Sequence, residues 1–134
     1  MRYKSGYRYV SQEAVVVDVG AELHVPLQAP FASIAAETLC VMSRYAWDGA
    51  SFTPFKWFGT PKPWLTPSLV HDALYQLIRE GLLDRSYRAV ADRLFREMLL
   101  ERGVWRWMAW AAYWSVRVFG NFAVRKTNPV REVV

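Results

Sequence analysis

Three things are scarce in this 134-residue chain: cysteine, histidine and unbroken apolar sequence. Cys40 is the single cysteine, so no intrachain disulfide can staple the fold, and folding in the cytosol, or in a particle assembled there, is expected. The stretch from Met1 to Tyr7 lacks the apolar run of a signal peptide, which gives the same expectation of cytoplasmic synthesis. The most apolar window, Trp107 to Val116, is closed off after ten residues by Arg106 and Arg117. A transmembrane span needs about 20, so none is expected. The net charge of +5 comes without a long basic run or a nucleic-acid-binding motif. Excess arginine on solvated helix faces, including Arg79 to Arg96, is the expected source, and no specific nucleic-acid partner is implied. With only His24 and His71, a phosphohydrolase centre that holds its metal with several histidines is short of ligands.

What the chain does have is bulk. Hydrophobic residues make up 53%, with seven each of Trp, Tyr and Phe, which suits a packed domain and not a disordered chain. A single domain over residues 1–134 is expected, of α+β class. Residues 1–45 read mainly as strands: Tyr7–Val10, Ala14–Val19, Leu23–Pro26 and Leu39–Ser43, with 31–36 open to a helical turn. Residues 46–66 read as an aromatic, proline-punctuated loop. Three helices follow over 67–120, near 67–80, 85–102 and 104–119. Thr66 is the expected cap and Pro67 the first position of the first helix, and Gly81 and Gly103 act as stops. The third helix is apolar almost all round, which places it in the core or at an interface, the core being the default. Residues 121–134 read as a polar tail.

One constellation carries chemistry. His71 and Tyr75 are four apart and share a helix face, and Asp72 sits at its rim. A helical hairpin through Gly81 would bring Asp92 back towards His71. A histidine held by a carboxylate is a general base that works near neutral pH. Two structural readings stand beside this one. His71, Asp72 and Tyr75 could form a buried network that only pins helices. Asp92 is also four residues from both Arg88 and Arg96, so ordinary helix ion pairs would account for it.

The ordered blocks Tyr45–Ser51, Ser68–Tyr75, Arg88–Asp92 and Tyr113 with Val116–Gly120 resemble a small phage and bacterial family of unknown function. That resemblance implies a phage or prophage origin and names no activity. More distantly, His71-Asp72-x-x-Tyr75 followed by Ala91-Asp92-x-x-Phe95 resembles the phospholipase A2 superfamily. This second resemblance implies a helical core of that type, with His71 as base for an attacking water. It further implies Asp92 on the far side of the ring, Tyr75 as supporting donor and Asp72 as calcium ligand. Asp48 and Gly49 are the nearest counterparts of the calcium loop, although the glycine-rich pattern of that loop is not reproduced. Calcium favours oxygen ligands, which a carboxylate and loop carbonyls provide. The expected function is calcium-assisted hydrolysis of phospholipid or another anionic ester. The alternative is a non-enzymatic head, neck or tail component that contacts other phage particle proteins.

Overall fold

The computed structural model describes residues 9–10, 14–20, 26–35, 37–43, 46–47 and 62–125. Two compact units are present, Met1–Asp48 with Thr127–Val134, and Gly49–Lys126.

Among the described residues the first unit is β structure. Its strands are β1 (Tyr9–Val10), β2 (Val15–Asp18), β3 (Leu27–Gln28), β4 (Ala32–Ala35), β5 (Thr38–Val41) and β6 (Ala46–Trp47). β1 pairs with β6, and the other four form an antiparallel sheet in the order β2-β5-β4-β3. The register sets Leu39 between Val17 and Ile34, and Val41 between Val15 and Ala32. Because side chains alternate along a strand, Ala32, Ile34, Leu39 and Val41 share one buried face while Val16 stands exposed on the other. The same alternation decides residues 31–36. Ala32 and Ile34 alternate with Ser33 and gain burial as a strand, so this segment contributes β4 and not a helical turn. The turn after β4 holds Glu37 at a φ of 64°, and the Glu37 carbonyl accepts from the Val19 backbone N–H at 2.9 Å. Of the strand expected at Leu23–Pro26, only Pro26 lies within the described residues, and β3 begins just after it.

The second unit holds α1 (Lys62–Arg79), a 3-10 turn (Arg85–Tyr87), α2 (Arg88–Glu101) and α3 (Arg106–Arg125). The protein is therefore α+β, with a small antiparallel sheet followed by three α-helices among the described residues. No helix among the described residues is long and apolar enough to cross a membrane.

Each helix departs from its expected bounds for a local reason. α1 starts at Lys62, more than a turn before Thr66, and carries Pro67 inside it. A proline there removes a donor from the helix, yet the earlier turn buries Trp64, whose ring meets Phe95 of α2 edge-on at 6.2 Å. Tertiary burial outweighs the local stop signal. Between α1 and α2, Asp84 accepts hydrogen bonds from the backbone N–H and the hydroxyl of Ser86, which shapes the entry as a 3-10 turn. α3 runs through Gly120 to Arg125. Gly81 and Gly103, by contrast, do end their helices, with φ of 77° and 87°. The core of the bundle gathers Trp64, Phe95, Leu99, Ala109 and Ala112, flanked by Val104, Met108 and Val116.

Candidate functional site

Within the helical unit, α1 presents His71 and Tyr75 one turn apart, and α2 presents Asp92 opposite them. The His71 Nε2 to Asp92 Oδ1 distance is 2.7 Å. The Tyr75 hydroxyl donates to the same oxygen at 2.5 Å. The imidazole ring lies against Tyr75 with centroids 4.1 Å apart and against Phe95 at 4.9 Å, both tilted by less than 40°. Two aromatic walls and a carboxylate thus hold one ring. The expected trio of His71, Tyr75 and Asp92 comes together.

At the second carboxylate oxygen the structure adds an arginine from a third helix to the one that sequence spacing offered. Arg117 of α3 donates to Asp92 Oδ2 at 2.9 Å, and Arg88 stands 3.6 Å from it. Asp92 is fully buried, at 0% side-chain exposure. A buried carboxylate costs several kcal/mol unless its lone pairs are used. Here all three helices supply partners. Arg88 continues outward, donating to the Tyr75 hydroxyl at 3.4 Å and to the carbonyls of Val116 and Arg117 at 3.1 and 3.3 Å.

That last contact explains Gly120. A Cβ placed there would fall on the Tyr75 hydroxyl, and would lie 2.9 Å from Tyr75 Cε2 and 3.0 Å from Arg88 Nη1. Gly120 is thus not a helix terminator. It is the gap through which α3 comes close enough for its carbonyls to meet Arg88.

Charge sets the protonation pattern. A carboxylate facing two guanidiniums only accepts, so the bond to His71 assigns a ring proton to Nε2, and a neutral ring then has its lone pair on Nδ1. The Tyr75 hydroxyl is pushed well above its ordinary range, first by burial, then by the Asp92 charge and the hydrogen bond to it. It remains a neutral donor. His71 keeps 12% of its side chain exposed, so the ring is nearly enclosed but not sealed.

The remaining expected positions fall differently. Asp72 is half-buried beside His71 and is engaged in an interaction of its own. Asp48, Gly49 and His24 lie outside the described residues. Among the described residues no group of three His, Cys, Asp or Glu is gathered as a metal site. Calcium takes six to eight oxygen ligands. The described residues offer Asp72 as one carboxylate and do not by themselves make that site.

Arg96, the other candidate partner of Asp92, instead lies over the rings of Trp110 at 4.5 Å and Tyr113 at 4.9 Å. Arg88 is not on a solvated basic face, because only 14% of its side chain is exposed. The i,i+4 pairing of Arg88 with Asp92, one of the structural readings of that acid, is present. Sequence reading missed Arg117 and Gly120 as parts of the site. Arg117 carried a signal, since α3 contains no acid with which it could pair.

A protein-family model described as "Protein of unknown function (DUF1353)" matches residues 23–116. No curated protein and no solved structure matches the chain. The matched span includes His71, Tyr75, Arg88 and Asp92, and stops one residue before Arg117.

Proposed function

For a chain that belongs to the DUF1353 family, we propose a hydrolytic function in which His71 activates water for attack on a carboxylic ester. One observation carries the reading: a histidine whose Nε2 is bound at 2.7 Å to a fully buried carboxylate, with the ring still 12% exposed. In that arrangement Nδ1 takes a proton from water as the oxygen attacks the carbonyl carbon. The same nitrogen then returns the proton to the leaving alkoxide as the tetrahedral intermediate collapses. Asp92 fixes the tautomer and the ring orientation throughout, the role of the acid in a triad. Tyr75, Arg88 and Arg117 hold Asp92 still and do not meet the substrate. The substrate class, a phospholipid or another anionic ester, comes from the sequence resemblance to the phospholipase A2 superfamily, and a phage or prophage origin comes from the other resemblance. Calcium at Asp72 belongs to the same proposal, and its binding is read directly by calorimetric titration of the parent chain and Asp72→Asn.

The test is turnover of a short-chain phospholipid and of a simple aryl ester by the purified chain. Parent activity with loss of at least about a hundredfold in His71→Ala is expected, that being the usual contribution of a general base. Far-ultraviolet circular dichroism should stay unchanged. Equal rates in parent and variant would sink the proposal.

A second reading is favoured by a different observation. Asp92 takes bonds from α1, α2 and α3 at once, which is what a cross-brace does in a non-enzymatic phage particle component. That reading expects no turnover from the parent chain. It also expects His71→Ala to cost folding stability alone.

A further inference from the structure

The third helix is built inside out. Its inward face carries small side chains, with Ala109, Ala112 and Gly120 buried. Its largest side chains point outward. Trp107, Trp110, Trp114 and Val118, spaced three, four and four residues apart, form one stripe. Trp105 stands just ahead of it. The four tryptophans are between 42% and 68% exposed, and Val118 is 60% exposed. The expectation that this helix lies in the core holds for its alanines and fails for its tryptophans. Half-exposed tryptophans of this number present an apolar area on the order of 500 Å², at the upper end of what a monomer shows on one patch.

The charges that α3 itself carries have one sign. α3 contains no acid from Arg106 to Arg125. Arg102 and Arg106 are exposed at the end where the stripe begins, and Arg96 lies over Trp110. Glu97 and Glu101, both exposed, belong to α2, as does Arg96. Tryptophan rings bordered by guanidiniums suit the boundary between headgroups and acyl chains, where an apolar ring sinks and a cation meets phosphate. A second copy of the chain fits less well. A two-fold contact through this stripe finds no acid on α3 to pair the exposed Arg106.

We propose that the Trp107–Trp110–Trp114–Val118 face of α3 docks on an anionic phospholipid surface. The inference deepens the hydrolase reading, on which it rests for its substrate, by naming the aggregated lipid surface as the place where the ester is met. Docking itself needs no turnover, so the two fail separately.

The experiment mixes the full chain with unilamellar vesicles of phosphatidylcholine alone, or with phosphatidylglycerol added. Sedimentation and the tryptophan emission maximum are recorded. Binding and a blue shift are expected with the anionic vesicles, weakening as salt is raised. Trp107→Ser/Trp114→Ser, which alters two exposed side chains, should weaken binding by about tenfold or more. His71→Ala should bind as the parent does. If it does and the parent shows no ester turnover, the hydrolase reading falls while the docking surface stands. Absence of binding to anionic vesicles overturns the docking proposal, as does undiminished binding of the double variant. A parent chain that sediments as a dimer, and that the same two substitutions make monomeric, also overturns it.

Discussion

Gly120→Ala sets two sizeable effects against each other. Alanine in the interior of a helix is favoured over glycine by about 1 kcal/mol, so propensity alone predicts a more stable protein. At this position the new methyl falls on the Tyr75 hydroxyl and lies 3.0 Å from Arg88 Nη1. Relieving such overpacking costs about 1–3 kcal/mol. If Tyr75 yields, its buried hydroxyl leaves Asp92 and adds a further 1–3 kcal/mol, roughly, for an unsatisfied group. With both costs the clash wins, and a net loss of about 1–5 kcal/mol is expected. Urea denaturation followed by circular dichroism reads it as a lower midpoint with an unchanged slope. The double variant Gly120→Ala/Tyr75→Phe sharpens the test, because removing the hydroxyl removes the closest contact. Its loss should be smaller than the sum of the two single losses by about 1 kcal/mol or more. A Gly120→Ala protein more stable than the parent by about the propensity difference would refute the close approach of α3 to Tyr75. The explanation of Arg88 reaching the α3 carbonyls would go with it.

Two further outcomes follow from the same cluster. Asp92→Asn keeps the shape but removes the charge that Arg117 and Arg88 face. Because Arg117 remains 27% exposed and can turn to water, the loss should sit near the low end for a broken buried pair, about 3 kcal/mol by urea denaturation. A change under about 1 kcal/mol would show that the brace does not hold the bundle. The second concerns Tyr75, whose folded-state pKa is raised above the unfolded value near 10. A raised pKa means the unfolded chain loses this proton first. The stabilisation is therefore complete below about pH 10 and declines above it, by up to about 1.4 kcal/mol per pH unit. Stability measured from pH 8 to 11 should fall more steeply in the parent than in Tyr75→Phe, and phenolate absorbance should show one tyrosine that ionises only on unfolding. Parallel pH profiles would contradict the burial of that hydroxyl.

Much of this site was legible as spacing. The i,i+4 relation of His71 to Tyr75 puts both on one face, and Gly81 between two amphipathic runs implies a hairpin that returns Asp92. Those are short-range facts, fixed by 3.6 residues per turn and by a glycine able to take positive φ. The α+β order was legible for the same reason, since β-branched runs precede the helical periodicities. Less legible were the limits of elements whose ends depend on distant partners. Pro67 reads as a start, yet the burial of Trp64 against Phe95 carries α1 back to Lys62. The third helix reads as ending near 119, yet Gly120 is a clearance inside a helix that continues to Arg125.

By itself, then, the sequence determined that the chain carries an antiparallel β segment, a helical hairpin and a His-Asp-Tyr set on facing helices, because backbone periodicity and turn chemistry are local. Tertiary structure alone decided what that aspartate touches and which way α3 turns. Arg117 lies 25 positions from Asp92 and reaches it only because α3 packs on its small residues, the same packing that sends its tryptophans outward. Burial of a charge is a property of every helix around it, and no spacing within one segment encodes it.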